Sequence, residues 1–147
     1  MSAFVIREAT PGDAEALVPV MACFGHPADP ETIRARLLLL RAGDPTGRIL
    51  VAESAGRLLG FMTLHLTPTL HRPTVVGRIT ALAVLPESRG SNAGRRLVEA
   101  AEEYFAGLGL SRVEVTSGPM HAPAHSFYRH LAYEDQGVRF AKVLTKA

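Results

Sequence analysis

The chain has 147 residues, 47% of them hydrophobic, and a formal charge of +2. That length fits one ordinary domain, residues 1–147, and that composition supports a packed core and excludes a disordered chain. The 16 basic residues are scattered, which argues against a nucleic-acid surface, and the single cysteine, Cys23, excludes an intrachain disulfide.

The N-terminal residues show no charged leader followed by an apolar core, so no signal peptide is expected. With one cysteine, a reducing cytoplasm is the simplest location. Residues 4–9 read as a short strand. Thr10 then offers a helix cap and Pro11 fits a first helical position; Leu17, Val18, Val20 and Met21 supply an apolar face up to about Cys23. Gly25, His26 and Pro27 break it. A second helix follows over residues 30–41, with Ile33, Leu37 and Leu40 on one face, until Gly43-Asp44-Pro45 ends it. No apolar run, that at residues 37–40 included, is long enough to span a bilayer, so no membrane association is expected.

Residues 49–53 and 57–66 are two strands joined by the compact turn Ser54-Ala55-Gly56. Residues 67–73 hold two prolines and form a loop; residues 75–84 are a long β-branched strand. Residues 92–108 make the strongest helix, with Leu97, Val98, Ala101 and Phe105 at helical spacing and Glu99, Glu102 and Glu103 outward. A strand at 112–116, a short helix at 123–131 and a final strand at 138–144 complete the order. This is an α/β (α+β) chain: one mixed, mostly antiparallel sheet flanked by helices.

The most informative stretch is ALAVLPESRGSNAGRRL, residues 81–97. A buried strand runs into a Gly-containing turn and then a helix, whose first N–H groups have no intrahelical acceptor and carry partial positive charge. Such a site suits an anion, and a pyrophosphate is a natural occupant. Gly90 and Gly94 let phosphate oxygens approach the backbone. Asn92 tolerates left-handed geometry, and Arg89, Arg95 and Arg96 add charge. Taken alone, Gly90 and Asn92 are equally explained as a tight strand-to-helix connection. The glycines at 107 and 109 follow a helix and read as a C-cap instead.

These residues resemble the GCN5-related N-acetyltransferase (GNAT) family. Its pyrophosphate motif, Gln/Arg-x-x-Gly-x-Gly/Ala after an apolar strand ending x-Val-x-Pro, reads here as Leu82-Ala83-Val84-Leu85-Pro86 and then Arg89-Gly90-Ser91-Asn92-Ala93-Gly94. Asn92 replaces the usual Gly. The second signature, Ala-x-x-Phe-Tyr-x-x-x-Gly-Phe/Tyr, appears as Ala124 to Tyr133, with Ala132 for Gly and His121 where Asn is common. Further shared features are Gly60 to Leu66, His71 and Arg139 to Leu144, and these match the aminoalkylphosphonate N-acetyltransferase branch.

The resemblance implies a splayed strand pair and acetyl-CoA as acyl donor, with its pantetheine arm on the backbone of Leu82, Ala83 and Val84. It implies pyrophosphate contacts from Arg89, Gly90, Ser91, Asn92, Ala93, Gly94 and Arg95, and further donor contacts from His121 and Ser126. It implies direct attack by an amine, and Tyr128 as the acid that protonates the departing thiolate. It also suggests a homodimer. His65, His71 and Arg78 are candidates to face a small-molecule amine. Relatives often carry a Glu on the strand that here reads Gly77-Arg78-Ile79-Thr80-Ala81. Without it, a water chain, a histidine or Glu114 must take the proton, or the amine must be less basic. His121, His125 and His130 fall across a loop and a short helix, so no metal site is expected. The leading expectation is an acetyl-CoA-dependent N-acetyltransferase for a small-molecule amine. The alternatives are a protein or peptide N-acetyltransferase of the same fold, and a non-catalytic acyl-CoA-binding regulatory module.

Overall fold

The computed structural model describes residues 3–116, 122–137 and 139–145. They fall into two compact units, Met1–Val115 and Thr116–Ala147. The first unit runs β1 (Val5–Glu8), a 3-10 turn (Pro11–Asp13), α1 (Ala14–Cys23), α2 (Pro30–Gly43), β2 (Arg48–Ser54), β3 (Arg57–Thr67), β4 (Val76–Val84), a second 3-10 turn (Pro86–Ser88), α3 (Ala93–Gly107) and β5 (Val113–Val115). The strands form one sheet in the order β1-β2-β3-β4-β5. The first four are antiparallel to their neighbours and β5 is parallel to β4.

Local chemistry accounts for the breaks. The Asp13 carboxylate accepts the Thr10 N–H at 2.7 Å and both terminal nitrogens of Arg7 at 2.9 Å, which fixes the entry to α1. At α2, Asp29 accepts the Thr32 N–H at 2.8 Å and Pro30 takes the first position. The β2–β3 hairpin turns on Ala55 and Gly56, both with positive φ (51° and 79°), as a two-residue turn matched to strand twist requires.

Two helical layers cover the sheet. Val51, Phe61 and Ala83 join Leu17, Val20, Ile33 and Leu37 in a core against α1 and α2. On the other side α3 buries Leu97, Val98, Ala101 and Phe105. Gly77 of β4 lies against Phe105, where a Cβ would come within 2.6 Å of the ring. Gly77 and Ala83 are both odd-numbered, so a regular strand would put them on one face. They face opposite layers because β4 carries a bulge: Thr63 pairs with Ala81 while Leu64 pairs with Ile79, leaving Thr80 without a partner of its own.

The second unit holds α4 (Ala122–His130), closed by Ala132 at φ 69°. Of the strand expected over residues 138–144, Val138 lies outside the described residues, and the segment 139–144 carries no ladder among the described residues. Phe140, Val143 and Leu144 are 91%, 84% and 86% exposed. A strand exists only through a hydrogen-bonded partner, and residues 139–144 have none among the described residues. No helix among the described residues is long and apolar enough to cross a membrane.

Candidate functional site

The bulge at Thr80 coincides with the end of the β4–β5 ladder. That ladder has three rungs, Gly77–Val113, Arg78–Glu114 and Ile79–Val115. Beyond Ile79, β4 runs on to Val84 paired with β3 alone among the described strands. The two parallel strands therefore fork at Thr80, and residues 81–84 present a backbone edge unpaired among the described residues. β3 holds that edge in place. Gly60 sits so close to the Ala83 carbonyl that a Cβ would lie 2.5 Å from its oxygen, and the Leu85 N–H donates to the Leu59 carbonyl at 2.8 Å. Leu82 and Val84 are half-buried and Ala83 is buried.

The open edge leads into the turn before α3. Gly90 has φ 90° with nothing within 4 Å of where a Cβ would be, and Asn92 has φ 72° and ψ 9°. Asn92 thus takes the left-handed conformation expected of the position, at little cost for that side chain. The turn is tied by its own atoms: the Ser91 N–H donates to the Ser88 carbonyl at 3.1 Å, and the Ala93 N–H reaches the Ser91 hydroxyl at 3.4 Å. The first α-type bond is Arg96 N–H to the Asn92 carbonyl, at 2.9 Å. The N–H groups of Gly90, Asn92, Gly94 and Arg95 have no acceptor among the described residues. Four such N–H groups at the start of a 15-residue helix form a cradle of the kind that could receive an anion.

The arginines divide. Arg89 is exposed on the turn. Arg95 lies 3.4 Å from Glu99 one helical turn on. Arg96 lies over the Phe4 ring, 5.5 Å from its centroid.

Below the fork lies a polar cluster on the face covered by α1 and α2. His65 and Arg78 are cross-strand partners on β3 and β4, and Glu114 is the next rung on β5. Glu114 accepts from Arg78 at 2.8 Å and from Arg112 at 2.7 Å, with Arg72 at 3.9 Å. The Arg112 hydrogen bond, with the charges of Arg112, Arg78 and Arg72, holds this carboxyl below the usual Glu range. Glu114 is therefore held as an anion among three arginines and is a weaker proton acceptor than a free carboxylate. His65 Nδ1 lies 3.1 Å from Asp44 Oδ2. The two line a cleft of about 360 Å³ with Arg41, Arg48 and Glu8. His71 stands exposed in the β3–β4 loop, away from any bonded partner among the described residues.

In the second unit Tyr128 is half-buried against Phe127 and Tyr133, with ring centroids 5.2 and 5.8 Å away. Burial pushes its phenol up to about 12, so it is a protonated donor throughout the physiological range. Ser126 is exposed on α4, and His121 lies outside the described residues. Sequence reasoning missed Asp44, Arg72 and Arg112. Arg112 carried a signal, since residues two apart on a strand share a face. Asp44 carried none, because its partner is 21 residues away.

The family model described as the Acetyltransferase (GNAT) family matches residues 16–133. An aminoalkylphosphonate N-acetyltransferase of Salmonella typhimurium is 33% identical over 101 residues, covering 69% of this chain and 66% of that protein. A mycothiol acetyltransferase of Pseudarthrobacter chlorophenolicus is 31% identical over 134 residues, covering 87% of this chain and 42% of that protein. The chain thus spans about two thirds of the first relative's length and under half of the second's. Among solved structures, glucosamine-6-phosphate N-acetyltransferase from Arabidopsis thaliana aligns at a TM-score of 0.82 with 16% identity, covering 97% of this chain and 99% of that one. A transcriptional regulator from Bacillus halodurans C-125 aligns at 0.83 with 22% identity, covering 95% and 100%. At those identities the likeness is one of fold.

Proposed function

We propose that this chain, which belongs to the acetyltransferase (GNAT) family, transfers the acetyl group of acetyl-CoA to the primary amine of a small molecule, its 147 residues acting as one transferase domain. Members of the family use acetyl-CoA as acyl donor. The observation that carries the reading is the continuity of the open β4 edge with the N–H cradle at the start of α3.

The residues fit the donor in both halves. The N–H groups of Gly90, Asn92, Gly94 and Arg95 suit the pyrophosphate oxygens. The unpaired edge at residues 81–84 suits the amides of a pantetheine arm, which add to a sheet edge as a strand does. From Val84 back to Thr80 is four steps along the strand, about 13 Å at about 3.3 Å each. The reactive end of the donor is thereby directed to the fork, beside the polar cluster of β3, β4 and β5.

At the fork the chemistry is nucleophilic attack by an uncharged amine. An alkyl ammonium has a pKa of about 10.4, so its neutral form at pH 7 costs about 4–5 kcal/mol. The arginines around Glu114 give that end of the site a positive balance, which favours an acceptor bearing an acidic group; the name of the Salmonella relative agrees with this. Tyr128 matches the family's proton donor to the leaving thiolate, and a phenol that stays protonated can serve that role.

The test is thiol release from acetyl-CoA across a panel of aminophosphonates, amino acids and polyamines. Turnover is expected with at least one small amine, favouring those that carry an acidic group. Acetyl-CoA binding without thiol release for any amine would overturn the transferase reading in favour of a binding module.

A further inference from the structure

We infer that His65, held by Asp44, is the proton acceptor for the incoming amine, with Asp44 as its positioning residue. This rests on the transferase reading above, and it supplies the group that reading lacks: β4 carries no carboxylate, and Glu114 is committed to arginines.

The geometry comes from two elements distant in sequence. Asp44 lies just past the end of α2, where its Oδ1 accepts the Thr46 N–H at 3.1 Å and the Thr46 hydroxyl at 2.6 Å. Those bonds orient the carboxylate, leaving Oδ2 3.1 Å from His65 Nδ1. Thr46, His65 and Gly47 all hold this carboxyl below its ordinary range, so it is ionised and can only accept. Nδ1 must then carry the hydrogen, and a neutral ring keeps its lone pair on Nε2. The orienting carboxylate and the imidazole it holds are the two outer parts of the usual activating arrangement, the substrate amine taking the place of the nucleophile.

The placement is also suitable. His65 is the register partner of Arg78, and Arg78 lies two residues before the bulge where β4 and β5 part. His65, Arg78, Ala81 and Ala83 share the face covered by α1 and α2, because the bulge at Thr80 reverses the alternation. The half-exposed imidazole, 27% accessible, borders the open cleft of about 360 Å³. The charged groups facing it are Asp44 after α2, Arg41 on α2, Arg48 on β2 with its partner Glu8 on β1, and Arg78 on β4.

The step balances simply. One proton of the ammonium passes to Nε2. The freed lone pair forms the bond to the acetyl carbon while the carbon–sulfur bond breaks and the thiolate leaves with its electron pair. The second nitrogen proton is lost as the amide forms, and one proton ends on the sulfur.

The experiment compares wild type, His65→Gln and Asp44→Asn by three readouts. In nitrogen-correlated NMR spectra of the neutral ring, His65 should be the Nδ1–H tautomer in wild type and lose that preference in Asp44→Asn. In steady-state assays kcat should fall by about 10²–10⁴-fold in His65→Gln, and less in Asp44→Asn. The deficit should shrink about tenfold per pH unit as free amine rises below pH 10. The stabilisation by acetyl-CoA should be unchanged in both variants. An Nε2–H tautomer in wild type, or a kcat in His65→Gln equal to wild type, overturns the inference. Absence of thiol release from wild type overturns the transferase reading itself, so the two failures are distinguishable.

Discussion

Arg78 and Glu114 face each other across the second rung of the parallel β4–β5 ladder, with a nitrogen-to-oxygen distance of 2.8 Å. One rung farther the ladder ends and the strands part. The pair thus braces the closed side of the fork, and with Arg112 and Arg72 it keeps Glu114 ionised. Replacing Glu114 with Gln is expected to cost about 1 kcal/mol in denaturant unfolding, as for a partly exposed ion pair. It should leave the pH of half-maximal turnover where it was. A displaced acid limb in that variant would instead make Glu114 the proton acceptor.

Asp13 is the most buried carboxylate of the described residues, 8% exposed, and it is bonded to Arg7 and to the Thr10 N–H. The Arg7 bond, then the Thr10 bond, depress its pKa below the ordinary 3.8. The unfolded chain therefore binds the proton more readily than the folded one, so the contribution is full above about pH 4 and is lost as pH falls through the folded pKa. Asp13→Asn should lower stability at pH 7 by about 1.5–3 kcal/mol and flatten the acid limb of a stability-versus-pH curve. An unchanged acid limb would show that Asp13 does not drive acid unfolding.

Asn92 holds φ 72° in the cradle. Asn92→Gly keeps that conformation available and should preserve acetyl-CoA affinity. Asn92→Val, β-branched in the left-handed region, should cost at least about 1–2 kcal/mol of stability and remove detectable affinity measured by calorimetry. Equal affinity in the two variants would detach the cradle from binding.

Tyr128→Phe keeps the ring contacts with Phe127 and Tyr133 and removes only the hydroxyl. Acetyl-CoA affinity should be unchanged and kcat should fall by about 10²-fold or more. A kcat equal to wild type would remove Tyr128 from the chemistry.

The parts that were legible in the sequence were those with local causes. The helical period of Leu97, Val98, Ala101 and Phe105 marks α3, and all four are buried. Gly90, Asn92 and the helix that follows mark the cradle, and both residues adopt positive φ. Ala132, standing where relatives carry Gly, also has positive φ, at 69°. The parts that were not legible depend on partners far along the chain. Nothing near Thr80 announces a bulge, since it arises from register with Thr63 and Leu64. The Asp44–His65 pair depends on how α2 meets β3. The segment at 139–144 has the apolar residues Phe140, Val143 and Leu144 of an expected strand, and the described structure gives it no ladder. Periodicity reports which face a segment would bury, not whether a neighbour is there to bury it.

The most direct measurement is thermal unfolding with and without acetyl-CoA. At a ligand concentration one hundred times the dissociation constant, binding to the folded chain adds about 2.7 kcal/mol, which raises the melting temperature by several degrees in a chain of 147 residues. Such a rise is expected for wild type and for Asn92→Gly, and not for Asn92→Val. A wild-type melting temperature indifferent to millimolar acetyl-CoA would contradict the assignment of the β4 edge and the α3 cradle as the donor site.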